Sequence, residues 1–361
     1  MISQQIELTG HLIDSLTLAK VLDVINAAGG EYTLDDIQIG SQKQDFSLVQ
    51  LTIEAPAEKV LKVILDRIKP YQSGELTKTL TTPGKSPLGS PGTPKILMCP
   101  PDHFTVAYAI NPWMSENPSA GGVDVEKAKF QWDALYQALT KQAGAQIYCM
   151  DPVEGLPDLV FTANAAFVYG NKAVIARYKF PERQGEEIHD QHWFEAHGFD
   201  TFVLPKGIVF EGAGDALIWE SLVFAGYKTR TDIASHGFIT AQTGLPVLSM
   251  ELVNPSFYHI DVCLCPLSDG HLIYYPGAFD PYGLAVIESQ VPENKRVPVT
   301  AEEAARFACN AVNVNDTIVL NQGSPRLEEE LKAKGFQVVP VDMSEFIKSG
   351  GSAKCLTLRI G

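Results

Sequence analysis

The sequence predicts an α/β protein in which a small α+β domain precedes a larger domain built from repeated units. Residues 1–71 follow the order strand, helix, two strands and helix, which is compatible with a ferredoxin-like fold of the small regulatory type. From residue 95 onward, a unit of two short strands, a helix and a further strand recurs several times. Repetition of this size favours a radial arrangement of units over one open, doubly wound sheet.

A break in composition separates the two parts. Residues 72–94 are rich in Pro, Gly, Ser and Thr, and a stretch of this kind cannot build a hydrophobic core. We therefore expect a small domain at 1–71, a linker at 72–94 and a larger domain at 95–361 that carries the chemistry. The small domain has no cluster of His, Cys or acidic residues that indicates a reaction of its own.

The elements of the small domain follow from side-chain alternation and from capping residues. Alternation predicts strands at 2–11, 31–40 and 46–54, the last two paired. Ser15 is placed to cap a helix that runs to about residue 28, and a second helix is expected at 56–68.

The larger domain alternates short strands with helices. Thr300 and Glu303 form a capping box for a helix that runs through residue 309. Ser324 and Pro325 start another helix, which Gly335 ends. The other predicted elements are strands at 95–98, 145–149, 202–204, 216–219, 222–225 and 247–251, hairpins at 165–176 and 258–275, and helices at 123–142, 185–198 and 231–243.

Charge and hydropathy narrow the class of protein. The formal net charge is −15, from 43 acidic and 28 basic residues, which disfavours a nucleic-acid partner and helps to attract a small cation. No run of about 18 apolar residues and no basic-then-apolar N-terminal pattern occurs, so we expect no membrane contact and a cytoplasmic location.

The six cysteines are spread along the chain without regular spacing, which indicates reduced thiols rather than a disulfide framework. If 258–265 is one strand, His259, Asp261, Cys263 and Cys265 share a face. That pattern leaves a zinc site as an alternative, although four ligands along one straight strand are too far apart to meet at one ion.

Cys355 is the candidate nucleophile. It follows a loop of small residues in which Gly350 and Gly351 permit close approach of a bound group, and Lys354 beside it favours a thiolate. A lone cysteine is more often a buried structural residue. Three further segments, 157–164, 210–215 and 258–261, add acids, a histidine and an amide that could surround the sulfur.

These segments, together with four others, resemble the guanidino-group modifying superfamily of arginine deiminases, dimethylarginine hydrolases and amidinotransferases. The nearest likeness is to the arginine dihydrolase branch, and it covers 95–361. It implies a pentein fold, a fivefold pseudosymmetric α/β propeller with the site at its axis. In that branch a small module follows the catalytic domain, whereas here it precedes it, which leaves its role open. The other matching segments are 98–103, 110–114, 182–187 and 354–357.

The chemistry of a guanidinium explains why such residues are needed. Its carbon is a poor electrophile, so the enzyme needs a soft nucleophile, a proton donor and groups that orient the nitrogens. We expect Cys355 to attack and His259 to protonate the departing nitrogen and then to activate water. By resemblance, Glu211 holds the imidazole of His259 and Asp261 grips the guanidinium.

Asn164 stands where deiminases usually have an aspartate. An amide can both donate and accept, so it can hold a neutral ureido intermediate as well as a guanidinium. This favours two hydrolytic rounds, from free arginine to ornithine, two ammonia and carbon dioxide. By resemblance, Arg183 binds the substrate carboxylate, and Asn111 and Ser349 line the amino-acid end.

Several alternatives stay open at this point. One hydrolytic round would make the chain an arginine deiminase or a dimethylarginine hydrolase that releases citrulline, and transfer to an amine would make it an amidinotransferase. A non-catalytic amino-acid sensor would not need Cys355. A dinucleotide-binding enzyme is disfavoured because Leu217 stands where the third glycine belongs. The expected route needs no metal or organic cofactor, and a homo-oligomer is left open.

Overall fold

The computed structural model describes residues 1–42, 45–72, 84–88, 92–116 and 122–361. Most of the expected linker at 72–94 therefore lies outside the described residues. Of its described part, Ser86 donates from Oγ to the backbone oxygen of Ile360 at 3.0 Å, and Leu88 packs in a hydrophobic cluster with Leu358. Residues 84–88 thus contact the larger part of the chain.

The N-terminal part is a three-stranded antiparallel sheet with two helices. The strand order is β1-β3-β2. One face of the central strand is fully buried through Val49, Leu51 and Ile53, against Ile25 and Ile64 of the helices. The predicted order of elements is confirmed. They are β1 (Ile2–Gly10), α1 (Thr17–Ala27), β2 (Glu31–Gln38), β3 (Ser47–Ala55) and α2 (Glu58–Ile68).

The predicted cap of α1 is wrong. The residue before the helix is Leu16, which has a φ of 54° and makes no side-chain capping hydrogen bond. Ser15 instead turns back, with its Oγ bonded to the backbone oxygen of His11 and 2.7 Å from Oγ1 of Thr17. Its hydroxyl is therefore used to close the loop before the helix and not to cap the helix.

The larger part contains five three-stranded sheets among its described residues. Its elements are β4 (Lys95–Met98), α3 (Pro112–Glu116), α4 (Val125–Gln137), β5 (Gln146–Cys149), β6 (Ala166–Tyr169), β7 (Lys172–Ile175), α5 (Pro181–Gln184), α6 (Glu187–Ala196), β8 (Asp200–Val203), β9 (Ala216–Trp219), β10 (Leu222–Tyr227), α7 (Ala234–Thr243), β11 (Val247–Glu251), β12 (Leu264–Pro266), β13 (Leu272–Tyr274), α8 (Pro281–Gln290), β14 (Arg296–Pro298), α9 (Ala301–Ala305), β15 (Val312–Val314), β16 (Thr317–Asn321), α10 (Pro325–Ala333), β17 (Gln337–Val341), α11 (Ser344–Ile347) and β18 (Leu358–Arg359).

All five sheets share one pattern, an antiparallel pair joined to a parallel third strand. The sheets are β6-β7-β8, β9-β10-β11, β12-β13-β14, β15-β16-β17 and β18-β4-β5. In the last sheet the strand at the chain end pairs with the first strand of this part, Leu358 opposite Leu97. The predicted recurring unit is thereby confirmed, and the end of the chain returns to the beginning of the repeats.

Short 3₁₀ turns precede three strands that each lie at the edge of a sheet. They are Thr162–Asn164 before β6, Gly212–Gly214 before β9 and Ile260–Val262 before β12. The expected strand over 258–265 is therefore wrong in its first half, since β12 begins only at Leu264. Because residues 259–262 turn, they do not alternate with Cys263 and Cys265, and the described residues contain no group of His, Cys, Asp and Glu that could hold a metal ion.

Some helix boundaries also differ from the sequence expectation. The helix expected over 123–142 is α-helical only from Val125 to Gln137, and residues Ala138–Gln142 form a π-helical turn that follows it directly. The helix expected over 185–198 is confirmed as α6, which runs from Glu187 to Ala196, and a separate short helix, α5, precedes it at Pro181–Gln184. The capping box at Thr300 and Glu303 is confirmed, with both hydrogen bonds formed, but the helix that it starts ends at Ala305 and does not reach residue 309. No helix within the described ranges is long and apolar enough to cross a membrane.

A partly buried lysine, Lys20, is among the residues that join the N-terminal part to the larger part; others are His11, which contacts Thr240, and Tyr71, which packs against Tyr227. Lys20 of α1 forms ion pairs with Glu251, at the end of β11, and with Asp280, before α8, the latter at 2.5 Å. Its Nζ also donates to Tyr227 Oη at 3.1 Å and lies 5.7 Å from the ring centroid of Tyr282. The lysine is only 12% exposed, so these contacts form a desolvated docking point.

Candidate active site

Cys355 lies in a turn, three residues before the first residue of β18, and is almost completely buried. The turn is held by Asn310, whose Oδ1 accepts from the backbone nitrogens of Lys354 and Cys355 at 3.1 and 3.2 Å. The Nδ2 of Asn310 donates to Cys355 Sγ at 3.1 Å and to the backbone oxygen of Asp261 at 3.0 Å. One buried amide therefore fixes both the backbone and the sulfur of the candidate nucleophile.

The sulfur of Cys355 lies beside a carboxyl group. Its distance to Asp261 Oδ2 is 3.6 Å. Burial raises the pKa of the Cys355 thiol, and the charge of Asp261 raises it further. Burial also raises the pKa of Asp261, to about 7. Lys354 acts in the expected direction and favours the thiolate, but burial outweighs it, and its Nζ donates to the backbone oxygen of Thr357 at 3.2 Å.

His259 and Glu211 form a buried pair. His259 Nε2 is 2.7 Å from Glu211 Oε2, and the same oxygen accepts from Arg230 Nη1 at 2.9 Å. Burial opposes ionisation of Glu211, but the charge of Arg230 and the bond from His259 hold its pKa well below the usual range. Burial lowers the pKa of His259 to about 4 despite Glu211. Near neutral pH the pair is therefore an ionised carboxylate beside a neutral imidazole.

Asn164 is a central hydrogen-bonding residue of the site. Its Oδ1 accepts from Arg183 Nη1 at 2.7 Å, while its Nδ2 donates to the backbone oxygen of Glu211 at 3.3 Å. The same nitrogen lies 3.5 Å from His259 Nδ1. Because these three contacts fix the orientation of the side chain, the acceptor and donor ends of the amide face different partners.

Arg183 is buried among acceptors. It donates to both carboxylate oxygens of Glu186, at 2.9 and 2.7 Å, and to the backbone oxygen of Asp158 at 3.1 Å. With the bond to Asn164, four of the five N–H groups of the guanidinium are used. Binding a carboxylate bidentately would thus require Arg183 to release one of its present partners.

Asn111 and Ser349 contact each other beside Asp158. Asn111 Nδ2 donates to the backbone oxygen of Ser349 at 3.0 Å, and Ser349 Oγ donates to Asp158 Oδ1 at 3.3 Å. They line a cavity of about 10 Å³ together with Asn164, Arg183 and Cys355. His259, Glu211 and Asp261 are not among its lining residues but lie directly behind them, through the contacts with Asn164 and Cys355.

The glycines before Cys355 serve different purposes. Gly350 has a φ of 86°, and a Cβ there would stand 2.8 Å from Tyr258 Oη and 2.9 Å from Asn111 Oδ1. Gly351 has no positive φ, but a Cβ there would meet the ring of Phe161 at 2.3 Å. The expected close approach is therefore made by neighbouring side chains of the protein.

The sequence reasoning missed four residues of this site. Asp158 lies in the segment 157–164, but the sequence indicated no role for it. Arg230 lies in a loop 19 residues after Glu211, and Tyr258 precedes His259, with its Oη donating to Gly350 O at 2.7 Å. Asn310 is 45 residues away from Cys355 in the chain. Its only signal in the sequence was its position next to another cysteine, Cys309.

Two family models match different parts of the chain. The family model described as N,N dimethylarginine dimethylhydrolase, eukaryotic, matches residues 101–361, and one described as LOR/SDH bifunctional enzyme conserved region matches residues 3–83. A relative from Mycobacterium tuberculosis, N(G),N(G)-dimethylarginine dimethylaminohydrolase, is 41% identical over 271 residues, which cover 75% of this chain and 87% of the relative.

A second relative joins two activities in one chain. The bifunctional arginine dihydrolase/ornithine cyclodeaminase AgrE of Nostoc sp. is 45% identical over 271 residues, which cover 74% of this chain and 38% of AgrE. The chain thus matches little more than a third of the length of this relative. The crystal structure of the product-bound N-terminal domain of the cyanobacterial arginine dihydrolase ArgZ has 46% identity and a TM-score of 0.72, and covers 75% of this chain and 98% of that domain. The chain therefore belongs to the N,N dimethylarginine dimethylhydrolase family of the guanidino-group modifying superfamily.

Proposed function

We propose that this chain hydrolyses the guanidino group of free arginine in two rounds and releases ornithine, two ammonia and carbon dioxide. The observation that carries this proposal is the fixed amide of Asn164, which presents a donor and an acceptor beside His259 and Arg183. The likeness to ArgZ and AgrE, named as arginine dihydrolases, supports it.

In the first round, Cys355 Sγ attacks the guanidinium carbon, ammonia leaves and a thiouronium adduct forms. The positive charge of the bound guanidinium lies beside the buried thiol and lowers the pKa of Cys355. Asp261, with a pKa of about 7, is placed to take the thiol proton and to pass it to the departing nitrogen, which leaves as ammonia. Neutral His259 accepts a proton from the attacking water, and hydrolysis of the adduct gives citrulline.

In the second round, Cys355 attacks the ureido carbon of bound citrulline. A second ammonia leaves, water cleaves the resulting thiocarbamate, and the carbamate of ornithine loses carbon dioxide. This round needs a donor for the neutral ureido oxygen. One N–H of Asn164 Nδ2 bonds to Glu211 O, and the other, which has only the 3.5 Å contact with His259 Nδ1, serves as this donor, whereas an ionised aspartate would only accept. Glu211 orients His259 in both rounds.

The amino-acid end of arginine is proposed to lie against Asn111, Ser349 and Arg183. Arg183 adds positive charge beside the cavity for the α-carboxylate, with Arg230 as a second source of charge. Asp158, which accepts from Ser349, is suited to the α-ammonium group.

The fold and domain boundaries are part of the proposal. The shared pattern of five sheets and the pairing of β18 with β4 support a fivefold pseudosymmetric propeller with the site at its axis. The order of elements in the N-terminal part supports a ferredoxin-like domain at 1–71. A linker at 72–94 and a catalytic domain at 95–361 complete the organisation. Six free cysteines support a cytoplasmic location.

A second candidate is hydrolysis of dimethylarginine, with release of citrulline. The matching family model and the relative from M. tuberculosis favour it. The two candidates differ in the number of rounds and in the substrate.

Product stoichiometry tests the proposal. The full chain is incubated with arginine, and in parallel with dimethylarginine, and citrulline, ornithine, ammonia and amines are quantified. We expect one ornithine and two ammonia per arginine consumed, and no turnover by Cys355→Ser. Citrulline as the end product would replace the dihydrolase with a deiminase, and a preference for dimethylarginine would favour the second candidate.

A further inference from the structure

A second cavity lies at the ends of β9, β12 and β18, the strands that follow Glu211, His259 and Cys355 in the chain. It has a volume of about 410 Å³, within the range of small-molecule sites. Its lining includes the last residue of each of these strands, Trp219 of β9, Pro266 of β12 and Arg359 of β18. It shares no lining residue with the cavity at Cys355, so it is a separate site.

The wall of this axial cavity is apolar. Its mouth is marked by exposed lining residues, among them Ile218, Ser268 and Arg359. Such a wall favours an apolar group that enters from solvent. The buried apolar residues of the lining include Phe167, Leu217, Trp219, Leu264, Leu267, Val312 and Val314.

Two cations and one acid line the cavity. Lys354 Nζ donates to the backbone oxygen of Thr357, and Arg359 Nε donates to that of Gly361 at 2.8 Å. Within the described residues no ion pair joins either cation to a carboxylate. The single acid, Glu220, is exposed at the mouth. A ligand with an anionic head and an apolar tail would therefore complement both the charge and the wall.

Lys354 connects the two cavities. It is the chain neighbour of Cys355, and both residues are held by Asn310. Its charge lowers the pKa of both Cys355 and Asp261, against their burial. An anion paired with Lys354 would cancel this effect and disfavour the thiolate.

We propose that the axial cavity binds a monocarboxylate with an apolar tail, and that its occupation slows turnover at Cys355. The second half of this proposal rests on the proposed role of Cys355 as nucleophile. The first half does not.

Binding is tested on the full chain with octanoate as the probe, by calorimetric titration and by the fluorescence of Trp219, with Trp219→Phe to assign the signal. Octylammonium and 1-octanol carry the same tail without the anionic head. We expect octanoate to bind at least about tenfold more tightly than either. Equal binding of 1-octanol would overturn the assignment of a carboxylate, and absence of octanoate binding would overturn the site.

Two variants locate the binding. Ile218→Glu places a negative charge at the mouth, and Lys354→Met removes the cation beside Cys355. Each should weaken octanoate binding at least about tenfold. Ile188→Glu, a change at a 68% exposed isoleucine of α6, is the matched control and should bind octanoate as the unmodified chain does. Unchanged binding in Ile218→Glu would place octanoate elsewhere.

Kinetics separates this site from the substrate site. In the unmodified chain octanoate should lower kcat, and excess arginine should not restore it. Ile218→Glu should keep its activity and lose the inhibition. Displacement of octanoate by arginine would place the ligand in the active site and overturn the proposal. An unchanged kcat with octanoate bound would overturn the link to Cys355 and leave the proposed hydrolysis unaffected.

Discussion

At the scale of single residues, the site depends on buried amides that each hold several partners at once. Asn310 fixes Cys355, and Asn164 connects Arg183 with Glu211 and His259. An amide is suited to this task because it carries donors and an acceptor without a charge that would need its own counterion. The charged groups are then free to set protonation states, as Arg230 does for Glu211.

We expect Asn164→Asp to convert two hydrolytic rounds toward one. The carboxylate would gain charge opposite Arg183 but lose the donor to Glu211 O and to a ureido oxygen. Citrulline should accumulate, measured as the citrulline to ornithine ratio at equal arginine consumption. Asn26→Asp, at an exposed position of α1, should leave the ratio unchanged. If Asn164→Asp still yields ornithine and two ammonia, this amide is not the determinant.

Glu211→Gln should reduce kcat by about two orders of magnitude, with a smaller change in KM. The substitution keeps the size of the side chain but removes the charge that holds His259 and balances Arg230. Steady-state kinetics at saturating arginine measures it, with Glu195→Gln on the exposed side of α6 as the control. A change confined to KM would place Glu211 on substrate binding instead.

At the scale of elements, the segment that leads to Cys355 and β18 requires a glycine at position 350. Gly350→Ala and Gly335→Ala compare two glycines of similar φ, 86° and 97°. Nothing lies within 4 Å of a Cβ at Gly335, whereas one at Gly350 would meet Tyr258 Oη and Asn111. Gly335→Ala should cost about 1–2 kcal/mol of stability, the conformational cost alone. Gly350→Ala should cost about 1–3 kcal/mol more, because overpacking adds to it.

Urea unfolding of both variants measures these differences, and arginine turnover shows whether the site follows. Gly350→Ala should also lose activity, since its neighbours line the cavity at Cys355. Equal stability of the two variants would mean that Tyr258 and Asn111 yield without cost.

The packing of α7 on its sheet should depend on pH through His236. This residue bonds to Ser249 of β11 at 2.7 Å and lies 3.3 Å from the backbone oxygen of Gly226 in β10. Burial lowers its pKa to about 4, from about 6.5 in the unfolded chain. Above pH 6.5 the imidazole is neutral in both the folded and the unfolded chain. As the pH falls from about 6.5 to about 4, only the unfolded chain takes up the proton, so the fold loses stability over this range.

His236→Gln removes that titration. Between pH 7 and pH 4.5 the free energy of unfolding should fall by about 2–3 kcal/mol more for the unmodified chain than for the variant. Urea unfolding at the two pH values gives both differences. Parallel pH dependence of the two proteins would show that His236 is charged in the folded state.

How much of this could be predicted from the sequence differs between elements. Strands such as β4 and β11 and the capping box at Thr300 were predicted, because alternation and capping are local properties. The strand expected from 258 was wrong since a 3₁₀ turn is set by what packs around His259. The contact of Asn310 with Cys355 could not be foreseen, because it joins residues that only the return of the chain to its first sheet brings together.

At the scale of the whole molecule, the two parts have separate cores and meet at several contacts, among which the partly buried Lys20 makes the ion pairs. The N-terminal part has its own hydrophobic cluster, which agrees with independent folding. Lys20 nevertheless neutralises Glu251 and Asp280, and without it these two carboxylates would lie partly buried beside each other. We infer that the larger part folds alone, with a loss of stability at this docking point.

Two truncations place the boundary. Removal of residues 1–72 keeps Ser86 and Leu88 in contact with the C-terminal segment, whereas removal of residues 1–91 takes these contacts away. Both proteins should fold and turn over arginine. The shorter one should melt several degrees lower, since a buried leucine and a hydrogen bond together contribute about 2–4 kcal/mol. Thermal unfolding measures the difference between the two truncations. In the full chain, the stability of Lys20→Met is compared with that of Lys62→Met, a change on the exposed face of α2, to isolate the contribution of the docking point. If both truncations are insoluble while Lys20→Met is stable, contacts other than Lys20, such as that of His11 with Thr240, hold the two parts together and the proposed domain boundary is wrong.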